Sequence, residues 1–224
     1  MNLIVAGPDV QDPLFTLDLS GRVRNLSLPA ASSALVPLFE AVSNSIHAVE
    51  ARFPDRSVQD GSITITLVRA NDNESELQGF VVQDNGTGLT EENMKSFLTS
   101  DSPYKQRRGG KGIGRLTWLK TLQNSEITST FAVDGGLQKR TFTFSLQQSN
   151  PISGHVLQPA APSDSVGTKV TLVPFFPQYA AHCPRKVSTI AAKLVGHFLN
   201  YFVTDTLPRI IVIDDEETID LSTM

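Results

Sequence analysis

Apolar positions along this chain switch several times between the period of a helix and that of a strand. From Ser33 to about Ala51, Leu35, Leu38, Phe39, Val42, Ile46 and Val49 recur at helical spacing, while Glu40, Asn44 and His47 fall along another stripe. The pattern predicts a long amphipathic helix that ends near Phe53-Pro54. Ile63, Ile65 and Leu67 then alternate with Thr64, Thr66 and Val68 as a strand. A second strand, Phe80-Val81-Val82-Gln83, runs straight into Asp84-Asn85-Gly86. Glu91 to Leu98 makes a short helix, and Leu116, Leu119, Lys120 and Leu122 fit a helix that starts near Ile113. Strands at Ile127 to Val133 and Gln138 to Leu146 flank Asp134-Gly135-Gly136, a strong hairpin signal. Residues Gln147 to Val166 are rich in Ser, Pro and Gly, and no element is assigned to them. A strand at Thr168 to Val173, a helix from about Arg185 to Phe202 and a strand at Arg209 to Ile213 follow. At the start, Leu14 to Leu28 alternates in short segments and reads as edge strands or an extended arm over residues 1–30. Hairpin-joined strands with helices gathered on one face predict an α+β two-layer sandwich on a mixed sheet, since a doubly wound parallel sheet needs stricter alternation.

The length of 224 residues, with 40% hydrophobic and 19% charged positions, fits one compact domain over residues 1–224. Lys and Arg number 19 against 23 Asp and Glu, a net charge of −4, and they are scattered. That distribution lacks the basic stripe that a phosphodiester backbone selects, so no direct nucleic-acid ligand is expected. The lone Cys183 cannot form an internal disulfide, which suits a reducing cytoplasm. No apolar stretch approaches the ~20 residues of a membrane span, and the N-terminus lacks a charged start with a long apolar run. No membrane partner is expected.

Candidate chemistry collects in four places. Gly109-Gly110-Lys111-Gly112-Ile113-Gly114 opens a predicted helix, but its spacing fails both the dinucleotide fingerprint and the P-loop, which needs Ser or Thr after Gly-Lys. It remains either a plain loop-to-helix turn or a cradle of main-chain amides for an anion. Asp84-Asn85-Gly86-Thr87-Gly88 is an ordinary Asx-turn composition in an uncommon place, the end of an apolar strand. A carboxylate there can accept from an exocyclic amino group and so tell adenine from guanine. Glu40 and Asn44 lie four apart on one helix face. Such a pair is either a solvated polar face or a division of labour: a carboxylate that takes a proton from water, and an amide oxygen that serves Mg²⁺. From Thr99 to Gly110 the chain is polar and aperiodic, with Lys105, Arg107 and Arg108, which suits a mobile loop.

Taken in order, Glu40-Ala41-Val42-Ser43-Asn44, Asp84-Asn85-Gly86-Thr87-Gly88, Gly109 to Gly114 and Gly167-Thr168-Lys169-Val170 resemble the boxes of the GHKL superfamily, from roughly Leu35 to Val173. That superfamily has the Bergerat ATP-binding fold and includes gyrase, the large heat-shock chaperone, histidine kinases and the MutL proteins. The resemblance implies ATP and Mg²⁺ as ligands, with Glu40 as general base and Asn44 as the metal ligand. It implies that Asp84 binds the adenine amino group, Gly88 packs under the base and Thr168 completes the adenine hydrogen bonds, with Gly86 beside them. Gly110, Gly112 and Gly114, with Ile113 between them, would lie against the phosphates. Residues 99–111 would form the ATP lid, and Lys105 and Lys111 would add charge. One departure is His47, where the family usually carries Asp.

Glu40 points to the hydrolytic branch, because histidine kinases use Asn at that position of the box. The run Gly112 to Lys120 looks most like chaperone-type ATPase domains. In that branch a following transducer domain usually supplies a catalytic lysine, so the expectation is the N-terminal ATPase module of a longer protein. A protein partner and a nucleotide-dependent homodimer go with that expectation. The rival readings are a nucleotide-gated clamp with little hydrolysis and a kinase-type ATP-binding domain.

Overall fold

A computed structural model describes residues 18–28, 33–70, 73–99, 114–146, 150–215 and 217–224. Its centre is helix α2, Val36–Arg52, preceded by α1, Leu19–Asn25, and followed by a one-turn helix α3, Ser57–Asp60. Pro37 sits in the first turn of α2, where a missing N–H costs nothing. The helix stops at Phe53, since the residue before Pro54 is driven out of the α region. Leu38, Val42, Ile46 and Val49 are all fully buried and line one face of α2. At about 2 kcal/mol per fully buried aliphatic side chain, this face anchors the helix far more firmly than propensity alone.

Strand β1, Ser62–Ala70, turns back antiparallel into β2, Asn73–Asp84, with Ile63 opposite Asp84. Helix α4, Glu91–Leu98, and helix α5, Gly114–Thr121, come next in chain order. Beyond them lie the hairpin β3, Ser125–Val133, and β4, Gly136–Phe144, then β5, Ile152–Pro159, and β6, Gly167–Leu172. The chain finishes with α6, Pro177–Ala180, α7, Val187–His197, α8, Leu199–Val203, β7, Arg209–Asp214, and β8, Glu217–Asp220. Among the described residues eight strands form one sheet in the order β5-β4-β3-β6-β2-β1-β7-β8, antiparallel except for the parallel β1–β7 pair. This is the α+β, mixed-sheet, two-layer architecture that the pattern predicts. Phe97 of α4 and Trp118 of α5 close over Phe142 and Phe144 of β4, with ring centroids 5.2–6.3 Å from Phe97.

Several local expectations need correction. Residues 19–25 form a helix rather than an edge strand. Leu19, Val23 and Leu26 share a helical face against the core, and the Lys120 Nζ of α5 donates to the Arg24 carbonyl. The Ser, Pro and Gly-rich stretch contains β5, which alternation could not reveal because most of its residues are exposed. The helix from 185 to 202 is two helices, broken at Phe198, whose buried ring stacks edge-on against Phe39 and His197.

Candidate functional site

Strand pairing delivers Asp84 to the site. As the last residue of β2 it lies beside Thr168 of β6, and its carboxylate is only 8% exposed. Its Oδ1 accepts from the Gly86 amide at 2.8 Å and from the Thr168 amide at 3.2 Å, while Oδ2 accepts from the Ser45 hydroxyl at 2.9 Å. Burial pushes the carboxyl up to about 6, and the three donors, with the Arg52 charge, oppose that rise. Oδ2, with one donor where Oδ1 has two, is the atom placed to accept an exocyclic amino group.

The turn after Asp84 is pressed onto α2. A β-carbon on residue 86 would lie 2.6 Å from the Ala48 backbone, and the Thr87 amide donates to the Ala48 carbonyl at 3.1 Å. Gly88 adopts a left-handed φ of +74°, and a β-carbon there would meet the Thr130 carbonyl at 2.4 Å. Its carbonyl accepts from Asn93 Nδ2 of α4 at 2.8 Å. Arg52, the last residue of α2, clasps two loops by donating to the carbonyls of Asn85 at 2.6 Å and Val166 at 2.9 Å.

Glu40 and Asn44 lie on the N-terminal half of the same helix. Asn44 Nδ2 donates to Glu40 Oε1 at 3.3 Å. The Glu40 carboxylate abuts Gly114, the first residue of α5, where a β-carbon would fall 1.8 Å from Glu40 Cδ. The positive end of the α5 dipole favours an anion at that point. Trp118 Nε1 donates to the Pro37 carbonyl at 3.0 Å, one turn away along each helix, and so locks α5 against α2. From Glu40 to Ala48 the site runs over eight residues of α2, or ~12 Å at 1.5 Å per residue.

The structure thus sets Gly114 against Glu40, with Asn44 one turn further along α2, and gathers Asp84, Gly86, Gly88 and Thr168 beyond them, where Ser45 and Ala48 meet the end of β2 and its turn. Lys105, Gly110, Lys111, Gly112 and Ile113 lie outside the described residues, as does the predicted lid beyond Thr99. Four side chains that matter here escaped the sequence reading. Ser45 left a signal, as a polar residue interrupting the apolar stripe of α2, and it is 3% exposed. Ser129 accepts from the Leu89 amide at 2.7 Å and lies 3.0 Å from the Thr168 hydroxyl, contacts that only the β3–β6 pairing creates. Arg52 is exposed like any solvated side chain, and Asn93 is half-buried in a short polar helix where nothing local marks its role.

Among the described residues no cluster of three or more His, Cys, Asp or Glu is placed to hold a metal ion. Among the same residues no helix is long and apolar enough to cross a membrane. No curated protein matches the chain closely. Residues 32–169 match the family described as histidine kinase-, DNA gyrase B-, and HSP90-like ATPase, a span that runs from just before α2 into β6 and takes in the first three boxes quoted above and the fourth up to Lys169. With more than half of its length inside that match, the chain belongs to the histidine kinase-, DNA gyrase B- and HSP90-like ATPase family.

Proposed function

We propose that this domain binds ATP together with Mg²⁺ along one face of α2, hydrolyses it, and uses the cycle to drive a conformational or dimerisation switch. The observation that carries the reading is the alignment on a single helix of Glu40 and Asn44 at one end with Ser45, bonded to Asp84, beyond them. Asp84 accepts the adenine amino group, and Thr168, whose amide already holds Asp84, stands beside the base. The Asn44 amide nitrogen donates to Glu40, so its oxygen is the atom that serves a hard cation. When bound, Mg²⁺ supplies charge neutralisation on the phosphates.

Glu40 acts as the general base. A water oxygen attacks the γ-phosphorus and the bond to the bridging oxygen breaks. ADP leaves with the electron pair, and the proton of the attacking water passes to Glu40. The amides of Gly110, Gly112 and Gly114 stabilise charge on the transferred group, and residues 99–111 act as the lid, with Lys105, Lys111 and Ile113 at the phosphates. The domain works as the N-terminal module of a longer protein, with a transducer domain and a second copy as partners, in the cytoplasm.

Calorimetric titration of ATP and of GTP, each with Mg²⁺, tests the pocket directly. ATP should bind, GTP should not, and Asp84→Asn should lose the ATP signal. Phosphate release separates the steps, since Glu40→Ala should bind ATP and fail to cleave it. Equal hydrolysis by Glu40→Ala and the parent refutes the base assignment.

A further inference from the structure

Helix α4 works on two sides. Asn93 reaches the Gly88 turn, while Glu91, Lys95 and Leu98, spaced to share another stripe, face away toward β4 and β5. Between that stripe and the sheet edge lies an open groove of about 490 Å³, floored by Arg140, Ile152 and His155. None of the proposed nucleotide residues lines it.

Three observations define what fits there. First, β5 is the terminal strand of the sheet, and among the described residues no strand pairs with its outer edge. It carries no Lys or Glu, its guards being Pro159 at one end and a bulge near the other, and between them Val156 and Leu157 are 48% and 42% exposed. Second, the register between β4 and β5 slips between Thr141 and Thr143, beside Gly154 at φ +61°. This bulge turns the His155 ring to the groove side, 6.2 Å from that of Phe142. Third, the groove is cationic in an acidic chain. The Arg140 side chain is 3% exposed, and its Nε is buried without a hydrogen-bond partner among the described residues. Its other end already grips one carboxylate, that of Glu91, which is itself 76% exposed. Lys95 stands on the next turn of α4, exposed.

We propose that this groove receives an extended acidic peptide segment, which adds to the sheet as a strand beside β5 and sets one carboxylate against Arg140 and Lys95, where it takes the place of Glu91. Main-chain hydrogen bonds along β5 supply the affinity, and the cationic floor selects the acidic side chain. The site is independent of the nucleotide reading, because no residue of one enters the other.

The probe is a fluorescein-labelled seven-residue peptide that alternates valine and threonine around a central glutamate, with a lysine-centred twin as control. Fluorescence anisotropy should show binding of the glutamate peptide to the 224-residue chain, and about tenfold weaker binding of the twin, the effect of one well-placed charge. Glu91→Gln should tighten the glutamate peptide several-fold by removing its internal competitor. Lys95→Glu should weaken it and favour the lysine peptide. Lys95 is exposed, so Lys95→Glu should keep the parent melting temperature; Glu91→Gln removes the counter-charge of the buried Arg140 and should melt earlier, so Lys95→Glu carries the test by itself. Bound peptide should slow amide exchange in residues 152–158. The proposal is overturned if neither peptide binds, if both bind alike, if glutarate binds as well as the peptide, or if exchange slows elsewhere and not in β5.

Discussion

Gly114 lies so close to Glu40 that a β-carbon on residue 114 would sit 1.8 Å from the Glu40 Cδ, inside any van der Waals limit. One of the two must move if residue 114 gains a side chain. Locked by the Trp118 bond to the Pro37 carbonyl, the backbone of α5 resists, so the carboxylate gives way. Alanine is the better helix former, so the Gly114→Ala domain should remain folded. Its hydrolysis should nevertheless fall by roughly 10- to 100-fold, toward the ~100-fold or greater loss expected when a general base is removed. Steady-state phosphate release, alongside a melting curve, reads both effects. Unchanged turnover in a folded Gly114→Ala protein would show that the position of Glu40 does not matter to the reaction.

Asp84 gives the fold and the ligand opposite pH trends. Its carboxyl titrates at about 6 in the folded chain against an ordinary 3.8. The proton is therefore bound more tightly by the folded state. The associated stability is fully present below about 4, declines as pH rises through about 6, and is level above that. The difference corresponds to about 3 kcal/mol. Urea unfolding from pH 4 to 7 should carry this component in the parent and lack it in Asp84→Asn. An amino donor on the ligand favours the ionised carboxylate, so ATP affinity should instead rise through the same interval.

Ser45→Ala removes one of the hydrogen bonds that hold the Asp84 carboxyl down. The midpoint of the affinity profile should move above its parent position, and the domain should lose about 1–2 kcal/mol. Titration calorimetry at several pH values checks the first, and chemical denaturation the second. A profile that stays in place would mean that Ser45 does not tune the carboxylate.

Gly88→Ala forces a side chain into a left-handed backbone position with φ +74° and against the Thr130 carbonyl. Destabilisation of about 1–3 kcal/mol is expected, read as a drop in the urea midpoint at constant slope. If the midpoint holds, the turn must be able to relax away from β3.

Much of the fold was legible before any coordinates. The α2 stripe, the β1 alternation, the Asp134-Gly135 hairpin and the bounds of α4 all follow from periods and turn chemistry that act within a few residues. Where a strand was missed, exposure was the reason. β5 and β8 sit on sheet edges, and a strand that buries little has no alternating pattern to display. Helix α1 failed differently, because its alternation of leucines was short enough to fit either period, and contact with α5 chose the helix.

The same division runs through the site. Glu40, Asn44, Asp84 and the glycines could be named from residue type and order, since each box is a local segment whose chemistry travels with it. The partners could not. Ser45 reaches Asp84 across 39 residues of chain, and Ser129 reaches Thr168 across another 39. Glu40 meets Gly114 only because Trp118 docks on the start of α2. The sequence by itself determined most of the elements and named the candidate side chains, because those depend on local spacing and functional groups. Only the tertiary structure decided which of them share a proton, a carboxylate or a surface, because sheet register and helix docking set distances that no local pattern encodes.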